Sequence, residues 1–231
     1  MEVFCPMEEL NQSGYGIESP NEPHMACVLL LDTSSSMSGA AIQSLNAGIN
    51  SFKSQTALDE TAQRRVDIAI IEFNSTAQVV QEFTPISAMQ PVSLSARGCT
   101  SIGAGVNLAI DKVKERNRFY NQMGTPCFKP WIFMITDGEP TDDIEYAVQR
   151  VQEEERKGTH GKLKFWSLAV QGANENTLRR FSERVMKLQG FDFTGIFNWM
   201  SESMVAISVS RVGDNISMTA ELPQNVVPAS W

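Results

Sequence analysis

The sequence predicts an α/β fold with a doubly wound, mostly parallel central sheet, helices on both faces and one antiparallel edge strand. Short apolar runs alternate along the chain with segments whose apolar residues recur at helical spacing. Polar turns separate these segments, and most of the strand-like runs are far enough apart for a helical crossover. The 231 residues, 42% of them hydrophobic and 20% charged, suit one globular domain of this class.

The first half of the chain predicts three strands and one helix. An apolar run over 25–31 predicts a buried strand, which stops abruptly at Asp32. Apolar residues then recur along one face of a predicted helix, at Ile42, Leu45, Ile49 and Phe52. Two further strand-like runs, 66–73 and 77–83, are separated by only three residues. Such a short connection predicts an antiparallel hairpin, and therefore one edge strand that runs backwards.

The second half alternates between helix and strand. Helical spacing predicts helices around 102–113, 144–151 and 196–207, and apolar runs predict strands over 131–135 and 163–170. Crossover connections of this kind place the strands parallel to one another. Polar residues that follow the strands are then expected to meet at one rim of the sheet, where ligands bind in doubly wound folds.

The domain is predicted to span residues 25–210. Residues 1–24 show neither helical nor strand periodicity and predict an irregular N-terminal extension. Residues 211–231 predict a C-terminal tail in which the β-prone segment 216–219 is a candidate for an added edge strand.

Charge and composition exclude several function classes. The chain carries 27 acidic and 19 basic residues, a net charge of −8, which disfavours binding to nucleic acid. No run reaches the roughly 20 apolar residues of a membrane span, and the N-terminal residues do not resemble a secretory signal. The four cysteines lie far apart in the sequence, at Cys5, Cys27, Cys99 and Cys127. This spacing predicts free thiols, and we therefore expect a cytoplasmic protein. His24 and His160 are isolated and are assigned no role.

Three polar clusters carry the chemical signal of the sequence: residues 32–36, 98–101 and 136–138. Taken alone, each is explained equally well by a helix cap or a turn. Together they offer two carboxylates and several hydroxyl groups at one predicted rim, and clustered carboxylates repel one another unless a cation lies between them. An all-oxygen set without His or Cys favours Mg²⁺, with Mn²⁺ and Ca²⁺ as alternatives.

These residues resemble the metal-ion-dependent adhesion site of von Willebrand factor A domains. That site reads D-x-S-x-S, then a Thr, then an Asp, and the chain has the same residue types in the same order: Asp32, Ser34, Ser36, Thr100 and Asp137. The resemblance covers residues 25–210. It implies that the three hydroxyl groups bind the cation directly, that the two aspartates act largely through water, and that a partner's carboxylate completes the coordination.

Within that family, the T-D-G-E-P-T-D segment at residues 136–142 and the F-D-F-T-G-I-F-N-W-M segment at 191–200 resemble the bacterial TerY-like proteins of tellurium-resistance and stress gene clusters. This resemblance implies a metal-dependent protein-binding module with no enzymatic activity. The partner is expected to present an Asp or Glu, and a kinase or phosphatase of the same gene cluster is one candidate. Met37, Ser101 and Glu139 are expected to contact it.

Two alternative hypotheses remain open on the sequence. One is a scaffold that binds through its outer helices without metal. The other is a Mg²⁺-dependent phosphoryl-transfer enzyme of the haloacid-dehalogenase type, which needs an acid/base carboxylate two residues after its nucleophilic Asp; position 34 is a Ser here. The Gly103-Ala104-Gly105 segment lacks the full dinucleotide-binding pattern, which favours close helix packing over phosphate binding.

Overall fold

The computed structural model describes residues 16–17, 19–156, 163–213 and 221–228 of the chain. These residues form seven strands: β1 Met25–Asp32, β2 Val66–Phe73, β3 Ala77–Pro85, β4 Trp131–Thr136, β5 Lys164–Ala169, β6 Val185–Leu188 and β7 Val226–Pro228. They also form six α-helices: α1 Ala40–Thr56, α2 Glu60–Arg65, α3 Ile102–Met123, α4 Glu145–Arg156, α5 Glu175–Phe181 and α6 Thr194–Ser208. Short 3₁₀ turns lie at Ser35–Met37 and Ile86–Ala88.

All seven strands belong to one sheet with the order β3-β2-β1-β4-β5-β6-β7. The central strands are parallel, and β3 pairs antiparallel with β2, as predicted. The opposite edge carries a second antiparallel strand, because β7 pairs with β6. This strand comes later in the chain than the predicted segment 216–219, which lies outside the described residues. The predicted doubly wound, mostly parallel sheet is therefore confirmed, with one antiparallel edge more than expected.

The sheet separates two hydrophobic cores. Every residue of β1 is buried, and its side chains alternate between the two faces, with Cys27, Leu29 and Leu31 in one core and Ala26, Val28 and Leu30 in the other. Helices α1 and α6 cover the first face, and α3, α4 and α5 cover the second. The aromatic residues of the last helix, Phe197 and Trp199, are buried in the first core.

Besides β7, three further helices and strands were not predicted, and all three are short. Helix α2 begins at a cap in which the Asp59 carboxylate accepts the Ala62 N–H, and α5 begins where the Asn174 side chain accepts two backbone N–H groups. Strand β6 has only four residues, and its Lys187 is exposed. Each of these elements spans only four to seven residues, which is too short for hydrophobic periodicity to leave a clear trace.

Two glycines of the segment 103–105 allow close packing, as expected. A Cβ at Gly105 would lie 3.1 Å from the Phe73 side chain, and one at Gly103 would lie 2.4 Å from the backbone oxygen of Asp143. The start of α3 therefore lies directly against the end of β2 and against the loop after β4. None of the described helices combines the length and the apolar character that crossing a bilayer requires.

A fully buried charged cluster lies at the amino-terminal end of β2, around Asp67. Its Oδ2 is 3.0 Å from Nδ1 of His24 and 3.1 Å from Nη2 of Arg116, and it accepts a hydrogen bond from the Tyr120 hydroxyl. Burial alone would raise the pKa of the Asp67 carboxyl, but the hydrogen bond from His24 and the charge of Arg116 lower it overall. His24, which had no predicted role, thus belongs to a structural cluster; His160 lies outside the described residues.

Candidate metal centre

The loop after β1 folds back on its own aspartate. Asp32 ends β1 with its side chain buried, and its Oδ1 accepts the backbone N–H of Ser34 at 2.8 Å. This turn brings the alternate hydroxyl groups of the loop together, so that Oγ of Ser34 and Oγ of Ser36 are 2.9 Å apart. The D-x-S-x-S spacing therefore presents one carboxylate and two hydroxyl groups within a single turn.

The second carboxylate comes from the neighbouring strand. Strand β4 is parallel to β1, so Asp137, which follows β4, emerges at the same rim of the sheet. The Ser36 hydroxyl donates to Oδ1 of Asp137 at 2.6 Å, and the Thr136 hydroxyl donates to Oδ2 of Asp32 at 2.5 Å. These two bonds connect the two strand ends directly, and the predicted convergence of the first and third polar clusters is confirmed.

Thr100 reaches the same rim from the loop that precedes α3. Its side chain is buried, and a Cβ at Gly138 would lie only 3.0 Å from its Oγ1. Glycine next to Asp137 therefore lets the Thr100 hydroxyl approach the Asp137 loop closely. The structure thus gathers all five predicted site residues at one end of the sheet, from three loops that are distant in sequence.

Among the described residues, the two carboxylates of this rim have no basic side chain as a countercharge. Burial is the main cause that raises the pKa of Asp32; the negative charge of Asp137 adds to it, while hydrogen bonds from Ser34 and Thr136 oppose it. Burial also raises the pKa of Asp137, against the hydrogen bond from Ser36. Across the described ranges, no Lys or Arg forms an ion pair with either aspartate. A divalent cation would remove this repulsion.

The chemistry of the donors fits a hard cation. Two carboxylates and three hydroxyl groups supply only oxygen, which suits Mg²⁺, Mn²⁺ or Ca²⁺. Within the part of the chain that the structure describes, no group of three or more His, Cys, Asp or Glu side chains is arranged to hold a metal ion. The candidate centre therefore depends on serine and threonine hydroxyl groups, which a search for acidic or thiol clusters would miss.

Neighbouring residues that the sequence analysis did not single out hold these loops in place. The Asn74 side chain donates to the Thr33 hydroxyl at 3.0 Å, and its backbone oxygen accepts the Ser101 N–H at 2.8 Å. Ser75 adds a bond, because its hydroxyl accepts the Cys99 N–H at 3.0 Å. The tight turn between β2 and β3 therefore braces both the D-x-S-x-S loop and the Thr100 loop. Its only signal in the sequence is the short spacing between the two strands.

One of the three predicted partner contacts is wrong. Met37 is fully buried and belongs to the core under α1, so it cannot touch a partner at the rim. The 3₁₀ turn over Ser35–Met37 directs this side chain inward while Ser35 and Ser36 stay exposed. Ser101 is partly exposed and Glu139 is exposed, which leaves both accessible.

A family model of the von Willebrand factor type A domain matches residues 27–193, which is well over half of the chain. The pilus adhesin SpaC from Lactobacillus rhamnosus GG aligns with a TM-score of 0.65 at 12% identity, over 82% of this chain and 31% of its own. A von Willebrand factor type A protein from Catenulispora acidiphila aligns with a TM-score of 0.56 at 16% identity, over 79% of this chain and 43% of its own.

A third similar structure is proximal thread matrix protein 1 from the mussel byssus, solved with a zinc-occupied MIDAS motif. It aligns with a TM-score of 0.55 at 14% identity, over 79% of this chain and 48% of its own. The chain thus spans about half the length of the mussel protein, and at these identities the likeness concerns the fold. No curated protein sequence shows a significant match to the chain.

Proposed function

Because the chain belongs to the von Willebrand factor type A domain family, we propose that it is a metal-dependent protein-interaction module whose cation binds at the Asp32–Asp137 rim. The observation that carries this proposal is the hydrogen bond between Ser36 and Asp137, which joins two buried carboxylate-bearing loops that lack a countercharge. A fold that brings such groups together gains stability once a cation is bound there.

The proposed first ligands are the hydroxyl groups of Ser34, Ser36 and Thr100, with Asp32 and Asp137 in support through water. We propose Mg²⁺ as the physiological ion, because the donors are all oxygen and Mg²⁺ retains several waters in its sites. Zinc in the MIDAS motif of the mussel byssus protein makes Zn²⁺ the natural competitor to test. When bound, the cation supplies a positive centre with an open position for an anionic oxygen.

The proposed partner presents an Asp or Glu side chain to that open position. Three neutral hydroxyl ligands leave more of the cation's charge uncompensated than three carboxylates would, so the ion retains affinity for an outside carboxylate. This local attraction opposes the net charge of −8, which disfavours acidic partners elsewhere on the surface. The exposed Glu139 and the partly exposed Ser101 flank the rim and are proposed to select among acidic partners.

For the biological setting we propose the cytoplasmic stress system implied by the TerY-like segments, with a kinase or phosphatase of the same gene cluster as the candidate partner. The resemblance of the segment T-D-G-E-P-T-D to those proteins supports this assignment, and the segment contains Asp137 of the rim. No catalytic step is proposed. The dehalogenase-type mechanism needs a carboxylate at position 34, and the Ser34 hydroxyl that stands there is hydrogen bonded to Ser36.

The test is calorimetric titration of the purified chain with Mg²⁺, Mn²⁺ and Zn²⁺. We expect one site in the wild type, loss of binding in Asp32→Ala and strong weakening in Thr100→Ala. Ser38→Ala is the matched control, because Ser38 is an exposed serine at the end of the same loop. Equal Mg²⁺ binding by the wild type and Asp32→Ala would show that the ion lies elsewhere.

Partner capture from a lysate with Mg²⁺, with EDTA and with the Thr100→Ala variant then tests the interaction. We expect the captured protein to be lost in the last two conditions. Capture that is the same in all three would place the interface on the outer helices and favour the metal-independent scaffold.

A further inference from the structure

We propose that Thr141 and Asp142 are positioning residues that set the place of Thr100 relative to Asp137, and hence the metal affinity of the rim. This inference rests on the proposed metal-binding function. The two residues lie on the loop that begins at Asp137, but they contact the other ligand loop and the helix that follows it. We call these contacts the 141–142 latch.

Thr141 holds the backbone of Thr100 from both sides. The Thr100 N–H donates to Oγ1 of Thr141 at 3.1 Å, and the Thr141 N–H donates to the backbone oxygen of Thr100 at 2.9 Å. The backbone N–H and the backbone oxygen of Thr100 are therefore both bound by one residue. Such a reciprocal pair fixes the position of the Cα of Thr100, from which its hydroxyl group projects.

Asp142 binds the first turn of α3, directly after Thr100. Its Oδ1 accepts the Gly103 N–H at 3.1 Å, and its Oδ2 accepts the Ala104 N–H at 2.8 Å. The carboxylate thus satisfies two free N–H groups at a helix start, where a negative charge is also favoured by the helix dipole. The loop that carries Asp142 can come this close to α3 only because residue 103 is a glycine. A Cβ at Gly103 would lie 2.4 Å from the backbone oxygen of Asp143 and 3.0 Å from Oδ2 of Asp142.

The latch differs from the brace on the other side of the Thr100 loop. Asn74 and Ser75 bind the residues on either side of Thr100, Cys99 and Ser101, and those bonds remain when the latch is broken. The loop should therefore stay folded but lose its fixed distance from Asp137. Since the two ligand loops approach each other where Thr100 faces Gly138, a small shift there would separate two donors of one ion.

The experiment measures the Mg²⁺ dissociation constant by calorimetry for Asp142→Ala and for the milder Thr141→Val, which loses only the hydroxyl acceptor. Partners that orient metal ligands are typically worth about 10- to 100-fold in metal affinity, and we expect a loss in this range for Asp142→Ala. Asp143→Ala is the matched control, because among the described residues the Asp143 carboxylate accepts only the Glu145 N–H, at 2.9 Å and away from the ligand loops. It should bind Mg²⁺ like the wild type.

A double-mutant cycle separates positioning from general stabilisation. In a Thr100→Ala background, Asp142→Ala should cause little further loss of affinity, because the group that it positions is already gone. Wild-type affinity in both latch variants, or fully additive losses in the cycle, would overturn the latch and leave the metal site standing. Absence of Mg²⁺ binding by the wild type would overturn the proposed function and the latch together.

Discussion

Asp32 and Asp67 are buried aspartates of the neighbouring parallel strands β1 and β2, but they lie at opposite ends of the sheet. Asp67 is surrounded by Arg116, His24 and Tyr120, and the pKa of its carboxyl is lowered. In the part of the chain that the structure describes, Asp32 has only hydroxyl and amide donors around it and the carboxylate of Asp137 nearby, and its pKa is raised.

The contrast shows two ways in which this fold accommodates a buried acid. At the Asp67 end the protein supplies its own cation, Arg116, so the charge of the carboxylate is compensated within the fold and the cluster serves the structure. At the Asp32 end polar donors are present but a countercharge is missing, which leaves the rim dependent on an ion from outside. Burial alone does not distinguish a structural carboxylate from a functional one, whereas the identity of its neighbours does.

The largest expected effect comes from removing the internal cation. Arg116→Met would leave the Asp67 carboxylate buried without its main charge partner, which typically costs about 3–5 kcal/mol of folding free energy. Urea unfolding measures this loss. Arg118→Met, at an exposed arginine two residues away on α3, is the control and should change little. If both variants unfold at the same urea concentration, the Asp67 cluster does not stabilise the fold.

The second effect is stabilisation by the external cation. At a free Mg²⁺ concentration of 100 times its Kd, ligand binding should add about 2.7 kcal/mol to the unfolding free energy of the wild type. Asp137→Ala should lose this gain, and Asp67→Asn should keep it despite a lower starting stability. Thermal melts with Mg²⁺ and with EDTA give the answer. A lost Mg²⁺ response in Asp67→Asn would mean that the two ends of the sheet are coupled.

Acidification should lower the stability of the fold through protonation of Asp67, with a smaller effect than the two above. Because its folded pKa is lowered, its stabilising contribution is complete above the ordinary carboxyl pKa of about 3.9 and is lost as the pH falls through the folded value. In EDTA and below about pH 4, the unfolding free energy of Asp67→Asn should therefore fall less steeply with decreasing pH than that of the wild type. The two slopes should differ by at most about 1.4 kcal/mol per pH unit, the value for one proton. The measurement is the unfolding free energy of both proteins between pH 5 and pH 3. Equal slopes for the wild type and Asp67→Asn would contradict the prediction.

The smallest effect is expected from neutralising the rim in the absence of metal. Asp137→Asn removes the repulsion with Asp32 while leaving an oxygen that can accept from Ser36, so its stability in EDTA should equal or exceed that of the wild type within about 1 kcal/mol. Asp67→Asn should be clearly less stable in the same buffer. Chemical denaturation of the two variants side by side tests whether the charges at the two ends act in opposite directions.

The sequence was informative about the rim because its residues are grouped locally. Asp32, Ser34 and Ser36 lie within five positions, and each aspartate closely follows an apolar run that predicts a buried strand, with only Thr136 before Asp137. Alternation of strand and helix then placed the two strand ends at the same edge of the sheet. Periodicity and spacing were enough to predict that the two strand ends converge, whereas the choice of Ser34, Ser36 and Thr100 as ligands came from the resemblance to von Willebrand factor A domains.

The Asp67 cluster left no comparable trace. Asp67 is 43 positions from His24 and 53 from Tyr120, and no local pattern indicates that these side chains meet. The latch residues Thr141 and Asp142 stood out in the sequence only as part of the TerY-like segment 136–142, because their function depends on how closely α3 approaches the loop after β4. Contacts made between loops after the sheet has assembled are therefore the part that periodicity cannot supply.

The distance in sequence between the two halves of the rim has a kinetic consequence. Ser36 and Asp137 are 101 positions apart, and they meet only after β1 and β4 have paired at the centre of the sheet. The chain must therefore close a long loop before an ion has a site to occupy. Contacts that form after the folding transition state mainly affect the unfolding rate. Mg²⁺ should consequently slow unfolding while leaving the refolding rate nearly unchanged. The ion would then stabilise the native state kinetically, after folding is complete.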